Sequence, residues 1–503
     1  MQSGPLALEH ADVIEQLRST LARIGYSGDA IRSALGEDAY QSRSRDVPVH
    51  VRRLQTDTPL ATAIKLLFLG CAVPEAELER SFAPLTAEQL RRLGLIHGER
   101  DVGATVRLVP HADLLLAGNR YPEDEPAGTP ADYVATVTAP SAILATLTVR
   151  RPARTALDIG TGSGVQALWA ARHCERVVAV DINPRALNLA EFNARLNGVD
   201  NVEFRLGSTF DPVAGERFDL IVANAPYVVS PDSRYAYRDG GLEADTFSER
   251  LVRGAAEHLD EGGFAQLLIS WLLVDDDWPS RPREWVAGSA CDCWLLLGVE
   301  RDPLTHAALW NDELKGDAAA YSETLDRWVG YLDRLGAKAV LEGAVILHRR
   351  AGGRHWFRAD RIPAARPEPA GEHLERVFRN QSFLRRLDDD AALLGKTLRL
   401  VDHTRIEQEL HCHDGGYVVD SMTLVLDEGF GFRAGMDQRT AALVPFLDGT
   451  RPLRQAIDTA ATALGVRDRD AEVFTRGAVT VVRELLELGF VVSVESGDGG
   501  GRE

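Results

Sequence analysis

The chain has 503 residues, too many for one ordinary core, and its 45% hydrophobic and 26% charged content describes a soluble globular protein of two to four domains. A formal net charge of −19 without any long basic tract weighs against a grip on phosphate backbones, although a local basic patch would survive within it. No apolar run approaches the roughly 20 residues of a membrane helix. Residues 1–5 have neither the basic region nor the apolar core of a signal peptide. A cytoplasmic protein with no membrane partner is the expectation. Five scattered cysteines, Cys71, Cys174, Cys291, Cys293 and Cys412, argue against a disulfide framework.

Along the chain, Val13, Leu17, Leu21 and Ile24 recur at helical spacing and predict a helical stretch over about 8–35. An apolar helix opens at Pro59, and two more follow at 74–80 and 86–93, the last with Thr86 as its N-cap. Residues 95–98 and 105–109 read as a hairpin, so residues 1–118 resemble a winged helix. That module would dock a substrate or nucleic acid, or simply pack. With only Arg91 and Arg92 basic on its third helix, packing or protein docking is the better reading.

A turn-rich acidic stretch over 118–132 opens the central domain, residues 119–350. There strands at 154–159, 176–180, 202–206, 218–223, 263–270, 293–299 and 339–348 alternate with helical patterns, including one over 324–332. The pattern predicts an α/β domain, a doubly wound, mostly parallel seven-stranded sheet covered on both faces. Residues 351–373 read as a linker. The last domain, 374–503, begins with a helix near 374–387 and has strands at 397–400, 408–413 and 421–426. It closes as a second winged-helix-like module, ahead of a frayed tail from Ser496.

The chemistry concentrates in the central domain. Asp158-Ile159-Gly160-Thr161-Gly162-Ser163-Gly164 follows an apolar strand and precedes a helix. Glycines there let backbone approach a ligand beyond the carboxyl ends of the strands. The spacing is G-x-G-x-G, not the G-x-G-x-x-G of dinucleotide sites. Asp181 ends the next apolar run, seventeen residues past Gly164, where a carboxylate would accept hydrogen bonds from both hydroxyls of a ribose. Asn224-Ala225-Pro226-Tyr227 follows a later strand. A side-chain oxygen at 224, a carbonyl at 225 and the aromatic face of Tyr227 suit a planar N–H-bearing nitrogen. The bland readings are a glycine turn with a surface aspartate, and an ordinary Asn-x-Pro turn.

With these residues the chain resembles class I S-adenosylmethionine-dependent methyltransferases, above all the branch with an N-P-P-Y motif. That branch holds the HemK-type glutamine methyltransferases, adenine-N6 methyltransferases and small-domain ribosomal RNA methyltransferases. The resemblance covers roughly residues 133–350. It implies that Gly160, Thr161, Gly162 and Gly164 line the cofactor, that Asp158 lies near its methionine end, that Asp181 holds the ribose and that Ile182 packs on adenine. Ser208 and Thr209 fall beside the adenine, with Gly207-Ser208 where the branch often has Gly-Asp. Asn224, Ala225, Pro226 and Tyr227 would hold the acceptor, with alanine in place of the second motif residue. Residues 238–245 look like the Gly-Gly-x-x-G-L-D segment of HemK-type enzymes. Residues 137–141 stand where those enzymes have Pro-Arg-Pro-x-Thr-Glu, and keep the proline alone.

The implied function is transfer of a methyl group to a nitrogen, with a protein or peptide amide as the favoured acceptor. Alternatives are a nucleobase nitrogen, a small molecule, or a regulatory protein with decayed catalysis. Metal is not expected: Cys291-Asp292-Cys293 lacks a second pair, and His403 with His411-Cys412-His413 reads better as an exposed strand face. Trp271 and Trp278 fit core better than pocket wall.

Overall fold

The computed structural model describes residues 5–41, 44–54, 57–121, 129–232, 238, 240–362 and 369–494. Residues 122–128 and 363–368, in the two predicted linkers, and the predicted frayed tail lie outside the described residues. The chain forms two compact units, residues 1–145 with 151–362, and residues 146–150 with 363–503.

In the first unit, α1 (Ala11–Ile24) and α2 (Gly28–Leu35) occupy the stretch predicted as continuously helical. The break is local. Gly25 ends α1 at φ +78°, and Ser27 caps α2 by accepting the Ala30 N–H at 3.2 Å. Then come α3 (Val47–Arg53), α4 (Pro59–Ala63), β1 (Val73–Pro74), α5 (Glu75–Phe82) and α6 (Ala87–Arg92). A reciprocal capping box of Thr86 with Gln89 starts α6. The predicted 95–98/105–109 hairpin needs correction. β2 (Ile96–His97) pairs with β3 (Asp101–Ala104), whose other edge takes β1, while β4 (Arg107–His111) pairs with β5 (Leu114–Gly118). Turns with positive φ at Gly98 and Ala112 divide the segment into two hairpins.

After α7 (Ala139–Leu147) the main sheet runs β6 (Ala153–Ile159), α8 (Val165–Ala170), β7 (Cys174–Asp181), α9 (Pro184–Asn197), β8 (Val202–Leu206), β9 (Phe218–Ala223), α10 (Thr246–His258), β10 (Leu259–Leu273), α11 (Ser280–Val286), β11 (Cys291–Arg301), α12 (Pro303–Trp310), α13 (Ala318–Arg334), β12 (Ala339–Arg349) and β13 (Phe357–Arg361). The strand order is β13-β11-β12-β10-β9-β6-β7-β8, eight strands with β12 antiparallel to both neighbours. Seven strands were expected. The eighth, β13, lies inside the predicted 351–373 linker, where the glycines and prolines around it mask its short length. It joins parallel to β11 and is tied there by Trp294 Nε1 donating to Asp360 at 2.6 Å.

One core sits under the sheet, with Leu157, Val178, Ile221, Leu267, Leu295 and Val345. Another joins Leu17, Ile31, Leu67 and Phe82 of the N-terminal helices and Val102 of β3 to Ala186, Leu189, Phe192 and Leu196 of α9. The N-terminal module and the sheet's own helix therefore bury their apolar faces together. Removing one exposes the other to water.

The second unit contains α14 (Gly371–Arg385), α15 (Asp390–Leu394), β14 (Thr397–Leu400), β15 (Thr404–His413), β16 (Gly416–Leu426), β17 (Arg433–Met436), α16 (Gln438–Leu443), β18 (Asp448–Pro452), α17 (Leu453–Ala463), α18 (Asp468–Glu487) and β19 (Val491–Ser493). It has two three-stranded sheets, β18-β14-β19 and β15-β16-β17. Its own core includes Phe383, Leu398, Leu424, Ile457, Val482 and Phe490. Among the described residues no helix is long and apolar enough to cross a membrane.

Candidate functional site

The order β8-β7-β6-β9 sets the carboxyl ends of four parallel strands side by side. In such sheets the crevice beyond those ends, where the strand order reverses, receives ligands. A cavity of about 750 Å³ opens there. Gly160, Thr161 and Gly162 after β6, Asp181 and Ile182 at the end of β7, Ser208 and Thr209 after β8, and Asn224, Ala225, Pro226 and Tyr227 after β9 all line it. Residues about sixty positions apart in sequence thus share one wall.

The turn is held from behind. Asp158, buried on β6, accepts Thr161 Oγ1–H at 2.6 Å and the Ala167 N–H at 3.1 Å, both through Oδ2. Neither Asp158 nor Gly164 is on the cavity wall. Both support the turn from outside that wall. Asp158 Oδ2 is taken up by the turn, and a Cβ at Gly164 would sit 3.0 Å from Ala190 Cβ on α9. Burial, reinforced by neighbouring Asp181 and opposed by the two hydrogen bonds, pushes the Asp158 carboxyl up to about 7.

Asp181 faces the turn directly. Its Oδ2 accepts the Gly162 N–H and its Oδ1 the Asn183 N–H, both at 2.9 Å. Burial raises its pKa, and these N–H donors counter the rise. A carboxylate has about four acceptor positions, so it keeps capacity for further donors. Ile182 beside it is 61% exposed, an apolar side chain left open at the cavity. Thr209 has φ +46°, an uncommon conformation for threonine that fixes the far side of this end.

Gly160 and Ala225 bring the two motifs together. A Cβ on Gly160, whose φ is +67°, would stand 3.0 Å from Ala225 Cα, so glycine is what lets the turn meet the Asn224 loop. Asn224 Nδ2 donates to Ser141 Oγ at 3.1 Å, and Ser141 Oγ lies 2.9 Å from Thr138 Oγ1. With its amide nitrogen held, Asn224 has its oxygen free to accept from a ligand. The Tyr227 hydroxyl is held neutral, its pKa raised by burial and then by nearby Glu342, while its backbone carbonyl accepts from Ser270 Oγ.

Several wall residues carried no recognisable signal in the sequence. Tyr133, Ala135 and Thr136 come from the segment before α7, Phe247 from α10 and Trp310 from α12. Arg238, buried, also lines the cavity; it donates to the Trp310 carbonyl at 2.9 Å and lies over the Trp328 ring. Thr138 and Ser141 were legible only as a segment with one matching proline. Asn193 is a further hidden support. Fully buried on α9, it bridges both backbone groups of Ala117 on β5 and donates to the Ser163 carbonyl in the glycine turn at 2.8 Å.

Trp271 is fully buried in the core under the sheet, Trp278 packs against that core, and neither lines the cavity. Cys291 and Cys293 are buried on β11, and burial pushes the Cys291 thiol up to about 11. His403, His411, Cys412 and His413 are exposed. Among the described residues no group of three or more His, Cys, Asp or Glu side chains is arranged to hold a metal ion.

Residues 136–273 match the methyltransferase small domain family. Residues 23–108 and 375–493 match two further families, each described as a domain of unknown function. The release factor glutamine methyltransferase of Xylella fastidiosa is 37% identical over 140 residues, 25% of this chain and 47% of that protein. The ribosomal protein uL3 glutamine methyltransferase of Bradyrhizobium diazoefficiens is 36% identical over 145 residues, 26% of this chain and 46% of that protein. The chain thus spans about half the length of these curated relatives. A crystal structure of a ribosomal protein L11 methylase from Lactobacillus delbrueckii subsp. bulgaricus aligns at TM-score 0.26 and 18% identity, covering 43% of this chain and 82% of that one. Asn224-Ala225-Pro226-Tyr227 and the glycine turn both lie within the stretch that matches the methyltransferase small domain family.

Proposed function

We propose that this protein is an S-adenosylmethionine-dependent N-methyltransferase whose acceptor is the side-chain amide of a protein glutamine. The observation that carries the reading is the junction of two motifs in one cavity. The glycine turn with Asp181 forms one end, and Asn224 to Tyr227 forms the other. The relatives' substrates, a release factor and a ribosomal protein, support the choice of acceptor class.

The residues fit the cofactor. Asp181 retains acceptor capacity for two ribose hydroxyls, Ile182 offers an open apolar face for adenine, with Ser208 and Thr209 on its far side, and Gly160, Thr161 and Gly162 leave room for the amino-acid portion. When bound, S-adenosylmethionine supplies an electrophilic methyl group on a sulfonium. The chain's part at the acceptor is orientation. Asn224 Oδ1 and the Ala225 carbonyl each accept one amide N–H, and the Tyr227 ring fixes the amide plane. The nitrogen lone pair is thereby turned toward the glycine-turn end. Positioning of this kind lowers a barrier by paying orientational entropy beforehand. Ser141 holds Asn224 in register for it. Among the described wall residues the only charged side chains are Asp181 and Arg238, and neither is needed as a base if the proton leaves after transfer.

We read the flanking modules as winged-helix-like, on their order of helix, short strand, two helices and strand pairing. The basic residues of α6 are already engaged. Arg91 pairs with Glu75 and donates to the Gly98 carbonyl, and Arg92 meets Glu88 at 3.2 Å. Neutralised arginines favour a protein partner over a nucleic acid.

The test is transfer of labelled methyl from the cofactor into extract of the host, with nuclease and protease arms. Label that survives nuclease, is lost to protease and falls by about 10²-fold or more in Asn224→Ala supports an amide acceptor. Label lost to nuclease transfers the reading to a nucleobase. Failure to bind the cofactor overturns the enzyme reading altogether.

A further inference from the structure

The hairpin of β15 and β16 in the second unit is not absorbed by the methyltransferase reading. Directly opposed residues of an antiparallel pair share a face. The pairing therefore sets Ile406, Gln408, Leu410 and Cys412 of β15 on one face with Leu424, Met422, Val419 and Tyr417 of β16. Beyond the base of the hairpin this face is open to solvent: Ile406 is 47%, Leu410 53%, Val419 43% and Tyr417 78% exposed. The opposite face of β15 is charged, with Arg405, Glu407, Glu409, His411 and His413. Moreover, β15 is an edge strand. Among the described residues it pairs only with β16, so the outward backbone groups of a strand from Thr404 to His413 are offered for pairing.

The charges on that edge select an occupant. When β15 meets a copy of itself antiparallel across a two-fold axis, apolar faces join on the same side only if the axis falls on a residue. Axes at Glu407, Gln408, Glu409, His411 or Cys412 oppose like groups, respectively Glu407 with itself, Glu407 with Glu409, Glu409 with itself, His411 with itself, and His411 with His413. An axis at Ile406 opposes none but pairs only Thr404–Gln408, a shorter stretch than the Glu407–His413 paired about Leu410. The axis at Leu410 opposes none. It sets Glu409 against His411 and Glu407 against His413, each twice by symmetry, with Leu410 on Leu410 and Gln408 on Cys412. Within its own sheet Glu407 also holds Arg405 and Arg433, and His411 lies 3.7 Å from Asp420. These contacts lie on the charged face and leave the backbone edge clear.

We infer that β15 is a self-association edge. Two copies of this chain join antiparallel through Glu407–His413 of β15 with Leu410 on the two-fold axis, giving one continuous sheet with three strands from each copy. This isologous closure satisfies both open edges at once.

The experiment uses the full chain. Mass by light scattering or sedimentation across micromolar concentrations should be about twice the monomer's for the native protein, and the monomer's for Leu410→Lys. Leu410→Lys should keep the native circular dichroism and melting profile, because the residue is exposed. Placement is read by oxidation. In a Cys412→Ser background, Leu410→Cys should give a covalent dimer, since opposed residues approach within disulfide reach, whereas Ile406→Cys should not. A native monomer at every concentration overturns the inference. So does a dimer that survives Leu410→Lys, or crosslinking at Ile406→Cys instead of Leu410→Cys. An extended peptide from another protein as the natural occupant would appear as the monomeric outcome.

Discussion

The two ends of the cavity are built differently. At the glycine-turn end the protein spends its own polar groups on itself. Asp158 is committed to Thr161 and Ala167, Asp181 to Gly162 and Asn183, and Asn193 to Ser163. This end is set by the sheet and α9 before any ligand arrives. At the Asn224 end a side-chain hydrogen bond to Ser141 orients the amide, beside the aromatic rings of Tyr227, Phe247 and Trp310 and the buried Arg238. The difference suits two tasks. On the proposed reading, a single constant ligand meets a rigid cradle, while a macromolecular acceptor would complete the hydrogen bonding of the other end itself.

The contrast can be broken at either end. The largest effect is expected at the rigid one. Asp181→Ala removes a carboxylate that bonds both the turn and the proposed ribose, at about 1.5–3 kcal/mol for each charged hydrogen bond lost. Calorimetry should show cofactor Kd rising by about 10²-fold. An unchanged Kd would show that the cradle does not depend on this acid.

At the other end, Ser141→Ala should lower kcat by about tenfold, near 1.4 kcal/mol, by freeing the Asn224 amide to rotate. Cofactor Kd should stay put, and Ser141→Thr should restore most of the loss. A joint change in Kd and kcat would mean that Ser141 shapes the whole cavity and that the two ends are not separable.

A further effect, read in stability and not in activity, sharpens the cradle itself. The Asp158 carboxyl titrates near 7 in the folded protein and near 4 when unfolded. The native state therefore holds a proton that the unfolded state has released between those values. Its contribution makes stability fall as pH rises from about 4 to about 7 and level off above. Asp158→Asn cannot ionise, so its melting temperature should gain on the native protein's across that window. Parallel melting curves through the window would show that the burial of Asp158 costs nothing in charge.

Much of this was legible beforehand, for reasons visible in particular residues. Val177 to Val180 and Leu220 to Ala223 are continuous apolar runs because their strands are buried on both faces, and G-x-G-x-G marks the turn because positive φ at Gly160, Gly162 and Gly164 suits little else. The failures share a different cause. β13 is short and its neighbours are glycine and proline, so only its partner β11 reveals it as a strand. The 95–109 segment alternates well in either register, and the turns at Gly98 and Ala112 decide which hairpins form.

Local patterning and glycine conformation are properties of neighbouring residues, so the α/β domain, the order of its motifs and the chemistry each could offer are readable along the chain. Tertiary structure alone decided that Asp158 and Gly164 stand behind the wall, that Ser141 reaches Asn224 eighty-three positions away, and that Trp310 and Arg238 line the cavity. It also decided that α9 shares its core with the N-terminal helices. Each depends on which apolar surfaces find one another when the chain folds, and that choice is made across the whole molecule.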